Sequence, residues 1–360
     1  MTKLVLSTGN IVSGGPSIIR KPGAFRSNLE LTNSLRSNFL AAQEYYAAEA
    51  EAAAHNNNNN NGNGAGIGNG NGNGNGINGD RRRVPASIWT TREKASLKRK
   101  AGNGDAAREP QQEQDEQGEV LFVPRIDWFA AGLQEEASQY DITAKLFFLP
   151  TAPAASRRRY AREALSLVLR ELGVRAVDLL IVSLPGMSFE GDCEWEADKK
   201  NGEQGDDEEE AATWRIVEDL HKEGLVQRLG LSEFGSEKLA RFLARKPTIR
   251  PAVDQINVKN CCSVPPPLAK LAKEQKIELL VHSDCTDILP QGTLRELLGP
   301  GIRGAGILAS ESGGDDEEYE GGLLKGEIIP EWVIKYTAVV RDRGVIENKG
   351  YFAGAELRQT

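Results

Sequence analysis

Lys145 is the residue whose chemistry most needs an explanation. It stands inside the apolar run DITAKLFFL (141–149), and an ammonium carried into such surroundings is costly unless it is paired or used. Buried lysines recur at sites because burial shifts their protonation. Two roles stay open: a feature of the fold, or a contact to a ligand at the mouth of a sheet. Partners for catalysis are scarce. Of the histidines, His55 borders an Asn tract, His221 lies on a helix-like stretch, and His282 ends the run IELLVHSD (277–284). A strand end is where parallel α/β folds put their sites, although a lone histidine there is more often structural. Ser183 ends the run AVDLLIVSLP (176–185). A serine is a nucleophile only beside a positioned base, and the sequence offers none. Cys193, Cys261, Cys262 and Cys285 form neither a disulfide framework nor a paired zinc-ligand set, so reduced thiols and no metal are expected.

These residues must be held by the elements around them. DITAKLFFL and AVDLLIVSLP read as buried strands, and between them SRRRYAREALSLVLRELG repeats its apolar residues at helical spacing and stops at Gly173. TWRIVEDLHKEG (213–224), SEKLARFLARK (236–246) and PPPLAKLAKEQK (265–276) read as helices. LVQRLGLS (225–232), PAVDQINV (251–258) and IELLVHSD read as strands. Apolar strands alternating with helices predict a parallel sheet covered on both faces. Periodicity alone allows either a barrel or an open doubly wound sheet, but no GxGxxG follows the first strand, which leaves a dinucleotide fingerprint without support.

Three polar stretches interrupt the alternation in what reads as one domain over residues 1–360. Residues 55–118 open with an almost pure Asn/Gly tract that has nothing to bury and read as a disordered insert. Residues 190–211 form an acidic insert and residues 299–322 a Gly-rich acidic one. Deleting residues 56–79 is expected to leave the thermal midpoint unchanged. A fall of more than about 5 °C in a calorimetric scan would show the tract to be structural. The net charge of −8 argues against a nucleic-acid partner, and the basic run at 81–100 reads as solvated linker. No apolar stretch is long enough to span a membrane and no signal-peptide core is present, so the cytoplasm is the expected compartment.

Several segments resemble the aldo-keto reductases. DLLIVSLP (178–185) is similar to their D-L-x-L-I-H-W-P strand. Trp214 followed by EDLHKEGLVQRLGLSEF is similar to their W-x-x-(L/M)-E-x-L-x-x-x-G…G-(V/L)-S-N-F stretch. PAVDQINV is similar to their P-x-x-(N/D)-Q-(I/V), and ITAKLFF to the strand bearing their catalytic lysine. The resemblance implies a degenerate (β/α)8 TIM barrel with low-complexity inserts. It places Lys145 at the lysine position and Ser183 where that family has histidine. No segment matches the context of the family's Asp and Tyr, and loss of the tyrosine would remove the proton donor. Ser232 and Gln255 fall on cofactor-amide contacts, with Glu233 in place of the intervening Asn.

DQINVKNCCSVPPPLAKLAKEQKIELLVHSD (254–284), EWVIKYTAVVRDRGVIENKGYFAGAE (331–356) and LVLSTGNIV (4–12) resemble, more narrowly, the regulatory subunits of glutamate–cysteine ligase. That resemblance implies a noncatalytic chain needing no cofactor, which binds the catalytic subunit as a heterodimer, tunes its glutamate affinity and weakens glutathione feedback. Cys261 and Cys262 become candidates for a redox or partner contact, and the apolar segment 331–352 a candidate interface. The alternatives are a divergent NAD(P)H-dependent reductase and a cofactor-sensing binding module.

Overall fold

The computed structural model describes residues 2–12, 27–60, 84–94, 119–258, 263–301, 303–309 and 324–359. The first half of the chain supplies β1 (Thr2–Ser7), α1 (Ser27–Asn60), α2 (Ala86–Trp89), β2 (Thr91–Lys94) and β3 (Glu119–Val123). The alternating region follows as β4 (Tyr140–Phe148), α3 (Arg157–Leu172), β5 (Val177–Ser183), α4 (Glu194–Gly202), α5 (Asp207–Lys222), β6 (Val226–Ser232), α6 (Ser236–Ala244), β7 (Val253–Asn257), α7 (Pro266–Gln275) and β8 (Glu278–His282). The chain ends with α8 (Thr293–Leu298) and two long strands, β9 (Glu327–Val340) and β10 (Val345–Arg358).

Strands β4 to β8 pair in parallel, in sequence order, as the alternation of mainly apolar strands with helices predicts. Helix α3 buries Ala161, Ala164, Leu165 and Val168, its helically spaced stripe, and Gly173 ends it in the left-handed conformation (φ 65°). The barrel pattern is degenerate in one definite way. The hydrogen-bonded order is β2-β3-β1-β10-β9-β4-β5-β6-β7-β8. The β9–β10 hairpin thus stands between the parallel set and β1, antiparallel to both β4 and β1. One apolar cluster joins the sheet to α3, α5, α6 and α7 through Leu180, Val182, Trp214, Phe234, Phe242 and Leu268. A second joins α1, α2 and α8 to β1, β3 and β10 through Leu31, Phe39, Trp89, Leu121, Leu297 and Tyr351.

Three expectations from sequence need correction. Within 55–118, residues 86–94 are built into the fold: Trp89 is fully buried against Phe39, ring centroids 6.0 Å apart, and β2 pairs with β3. Polar neighbours hid a short apolar anchor there, while 61–83 and 95–118 lie outside the described residues. Within 190–211, the acids form α4 and the first turn of α5. Asp206 caps α5 by accepting from the Glu208 and Glu209 amides, and four acids in the first turn suit the positive end of the helix dipole. Lys238, 1% exposed, then clamps that turn to α6 through Asp207 and Glu210. Within 299–322, Ile307 and Leu308 are buried, and Leu308 bridges Leu324; residues 310–323 lie outside the described residues.

The segment 331–352 is corrected as well. Apart from the exposed residues 341–346, it is not a surface. Trp332, Ile334, Tyr336, Tyr351 and Phe352 are all essentially inaccessible, because the strands carrying them are flanked on both sides and covered on both faces.

Candidate functional site

Alternation along β4 turns Thr143 and Lys145 to one face of the sheet, and alternation along β9 does the same for Lys335 and Thr337. The antiparallel register sets Lys145 directly opposite Lys335 and Thr143 opposite Thr337. Two like charges facing each other would destabilise the pair. Asp284, just beyond β8, resolves the conflict by accepting from Lys145 Nζ (3.1 Å) on one oxygen and from Lys335 Nζ (2.9 Å) on the other. Burial pushes the Asp284 carboxyl up, but the two ammonium groups outweigh it and hold it below the usual carboxylate range. Lys145, 4% exposed, is shifted down by burial, a shift that Asp284 and Glu233 only partly offset.

His282 lies behind this pair. Its Nδ1 accepts from the Asp284 backbone N–H at 3.0 Å, so a neutral ring carries its proton on Nε2, which stands 2.6 Å from Glu233 Oε1. Glu233 adopts a left-handed backbone (φ 65°), and its other carboxylate oxygen accepts from Asn257 N (3.2 Å). The turn is held by α4: Asn201 donates to the Glu233 carbonyl (2.6 Å) and accepts from Gly235 N (2.6 Å). The acidic insert is therefore part of the site's scaffold. Deeper still, burial raises the Asp254 carboxyl well above its ordinary value.

Of the residues singled out from sequence, Lys145 and Gln255 meet at one cavity of about 120 Å³, with Thr143, Ile181, Asp284, Lys335 and Thr337 completing its lining. Ser183 sits beside Phe147 in the β4–β5 register and is not part of that lining. Ser232 is fully buried, and its hydroxyl has no partner among the described residues. Cys261 and Cys262 lie outside the described residues. Asp284 and Lys335 were not anticipated, and Glu233 was noted only as a departure from the motif. Lys335 did leave a signal, since it interrupts an apolar strand (EWVIKYTAVV) in the same way that Lys145 does.

Among the described residues, no tyrosine lines the cavity beside Lys145. The buried phenols of Tyr140, Tyr160, Tyr336 and Tyr351 are each hydrogen-bonded to a carboxylate, from Glu347, Glu331, Glu171 and Glu30 respectively. Burial raises all four, Tyr160 to about 12, away from the range of a general acid. A nicotinamide cofactor does not fit the residues either. The Ser232 hydroxyl is sealed in, and the Glu233 carboxylate accepts from Asn257 N and has His282 Nε2 2.6 Å from its other oxygen. The cavity is also well below the ~300–1,000 Å³ of sites that take a cofactor-sized ligand.

Comparison with known proteins agrees with the sequence motifs. The Aldo/keto reductase family matches residues 126–296, the region from the approach to β4 through α8. The glutamate–cysteine ligase regulatory subunit of Homo sapiens is 25% identical over 224 residues, 62% of this chain and 69% of that protein. The putative one of Schizosaccharomyces pombe is 28% identical over 233 residues, 61% and 71%. Among solved structures, a Bombyx mori aldo-keto reductase in complex with NADP is 24% identical, with a TM-score of 0.29 over 39% of this chain and 40% of that one. The aldose reductase of Giardia lamblia is 25% identical, with a TM-score of 0.27 over 38% and 43%. Residues 126–296 of this degenerate α/β fold thus match the aldo/keto reductase family, and the two curated relatives named here are a regulatory and a putative regulatory subunit of glutamate–cysteine ligase.

Proposed function

We propose that this chain is a noncatalytic regulatory subunit of a glutamate–cysteine ligase. It binds the catalytic subunit as a heterodimer in the cytoplasm, raises its affinity for glutamate and relieves its inhibition by glutathione. The observation that carries the reading is the commitment of Lys145 to Asp284, at a position where the resembling enzymes hold a catalytic lysine. Ser183 in place of an imidazole and the four carboxylate-bound tyrosines support the same reading.

A regulator shifts a partner only by binding one of its conformations better than another. Co-purified with the catalytic subunit, the chain is expected to lower the glutamate KM several-fold, a coupling of about 1–2 kcal/mol. By linkage, glutamate should tighten the heterodimer. Steady-state kinetics with and without a saturating excess of this chain provide the test, and an unchanged KM would refute the assignment. In a parallel assay, the purified chain should not oxidise NADPH in the presence of nitrobenzaldehyde. Turnover that disappears in Lys145→Met would instead select the reductase alternative.

A further inference from the structure

The cavity beside Lys145 has a chemical character of its own, independent of the regulatory reading. Its walls are two facing strand pairs: Lys145 and Thr143 on β4, Lys335 and Thr337 on β9. Gln255 and Ile181 close it from β7 and β5. Asp284 is the sole carboxylate of this lining, against two ammonium groups. Glu233 adds to the field at Lys145 but is already in contact with Asn257 N and His282 Nε2. Each ammonium has three donors and gives one to Asp284. The spare donors of the buried Lys145 are costly to leave without acceptors, so the lining favours an incoming anion. The Gln255 Oε1 is buried with no partner among the described residues, which leaves an amide free to meet a ligand hydroxyl.

We propose that this cavity binds a small monocarboxylate of hydroxy-acid size between Lys145 and Lys335. The carboxylate bridges the two ammonium groups, the threonine hydroxyls and the Gln255 amide meet the ligand's own hydroxyl, and Ile181 packs against its short carbon chain. At about 120 Å³ and ~10–15 Å³ per water-sized probe, the space holds roughly eight to twelve such probes, which admits lactate or glycolate and excludes a nucleotide. Lys335, the more exposed of the two lysines, marks the entrance.

The test is calorimetric titration of the full chain, without any ligase, with lactate, glycolate and the neutral isostere lactamide at constant ionic strength. Lactate is expected to bind and lactamide not to. Lys335→Met should weaken lactate by at least about tenfold, and Lys335→Arg should retain most of the affinity. Thr337→Leu keeps both lysines and fills a half-exposed position in the same wall, so it should also block binding and covers the case in which Lys335→Met fails to fold. The proposal is overturned if neither acid binds, if lactamide binds as well as lactate, or if a folded Lys335→Met or Thr337→Leu protein binds like the parent. Because the catalytic subunit is absent, failure here leaves the regulatory assignment untouched, and failure of the KM assay leaves this site untouched.

Discussion

A chain ending at Pro330 is expected not to fold. Residues 331–358 hold ten of the fourteen residues of β9 and the whole of β10, which occupy adjacent places in the middle of the sheet order. Without them, β1 loses its antiparallel partner on one side and β4 on the other, and the sheet separates into two pieces. The loss includes Trp332, Tyr336, Tyr351 and Phe352, all essentially inaccessible. Deleting one large buried aromatic side chain costs about 3–5 kcal/mol, whereas a whole domain is stable by only about 5–15 kcal/mol. The truncated chain should therefore be insoluble or protease-sensitive, without a cooperative thermal transition. A soluble 1–330 fragment that unfolds cooperatively would show the hairpin to be an appendage. Loss of ligase regulation on truncation would consequently say nothing about an interface in this segment.

That segment also shows where sequence reading works and where it stops. From β4 to β8, α4 apart, local patterns and final structure agree closely, because the strands are mainly apolar and α3, α5, α6 and α7 each have a buried stripe and a definite end. Gly173 is an example. The hairpin was legible as apolar but not as central: apolar residues say that a segment is covered, not by what. Similarly, the acids after Gln204 read as solvated because nothing local reveals Lys238, which lies more than twenty-five residues beyond Asp207 and supplies their counter-charge. Lys145 stood out as a charge in an apolar strand. Its partner could not be identified, because Asp284 follows a different strand and reaches Lys145 only when β8 and β4 belong to one curved sheet. Glu233 could be placed from the motif around Ser232, yet its left-handed backbone and its contact with His282 depend on α4, which the polar composition had hidden.

Asp284→Ala is expected to be the most damaging single substitution in the site. The carboxylate is the common partner of Lys145 and Lys335, and removing one member of a buried ion pair typically costs about 3–5 kcal/mol, because the remaining charge is stranded. Here two ammonium groups facing each other across β4 and β9 would be left without their shared carboxylate. Asp284→Asn keeps the shape and should recover only part of the loss. Lys145→Met should cost much less, since Asp284 retains Lys335. The double variant Asp284→Ala/Lys145→Met should be more stable than Asp284→Ala alone, as the like-charge conflict has gone. The pH dependence follows from the sign of each shift. The folded carboxyl lies below its unfolded value, so its contribution is complete above the unfolded value of about 3.9 and is lost as pH falls below it towards the folded one. The difference between the parent and Asp284→Asn should therefore be full at neutral pH and shrink below about pH 4. Lys145 behaves in the opposite sense. Burial already lowers it, and without Asp284 it falls further, so raising the pH neutralises it and should narrow the deficit of Asp284→Ala from the alkaline side. Urea denaturation of the parent and the four variants across that range measures all of this. A deficit for Asp284→Ala below about 1 kcal/mol at neutral pH, the scale of an exposed ion pair, would mean that the two lysines do not depend on Asp284.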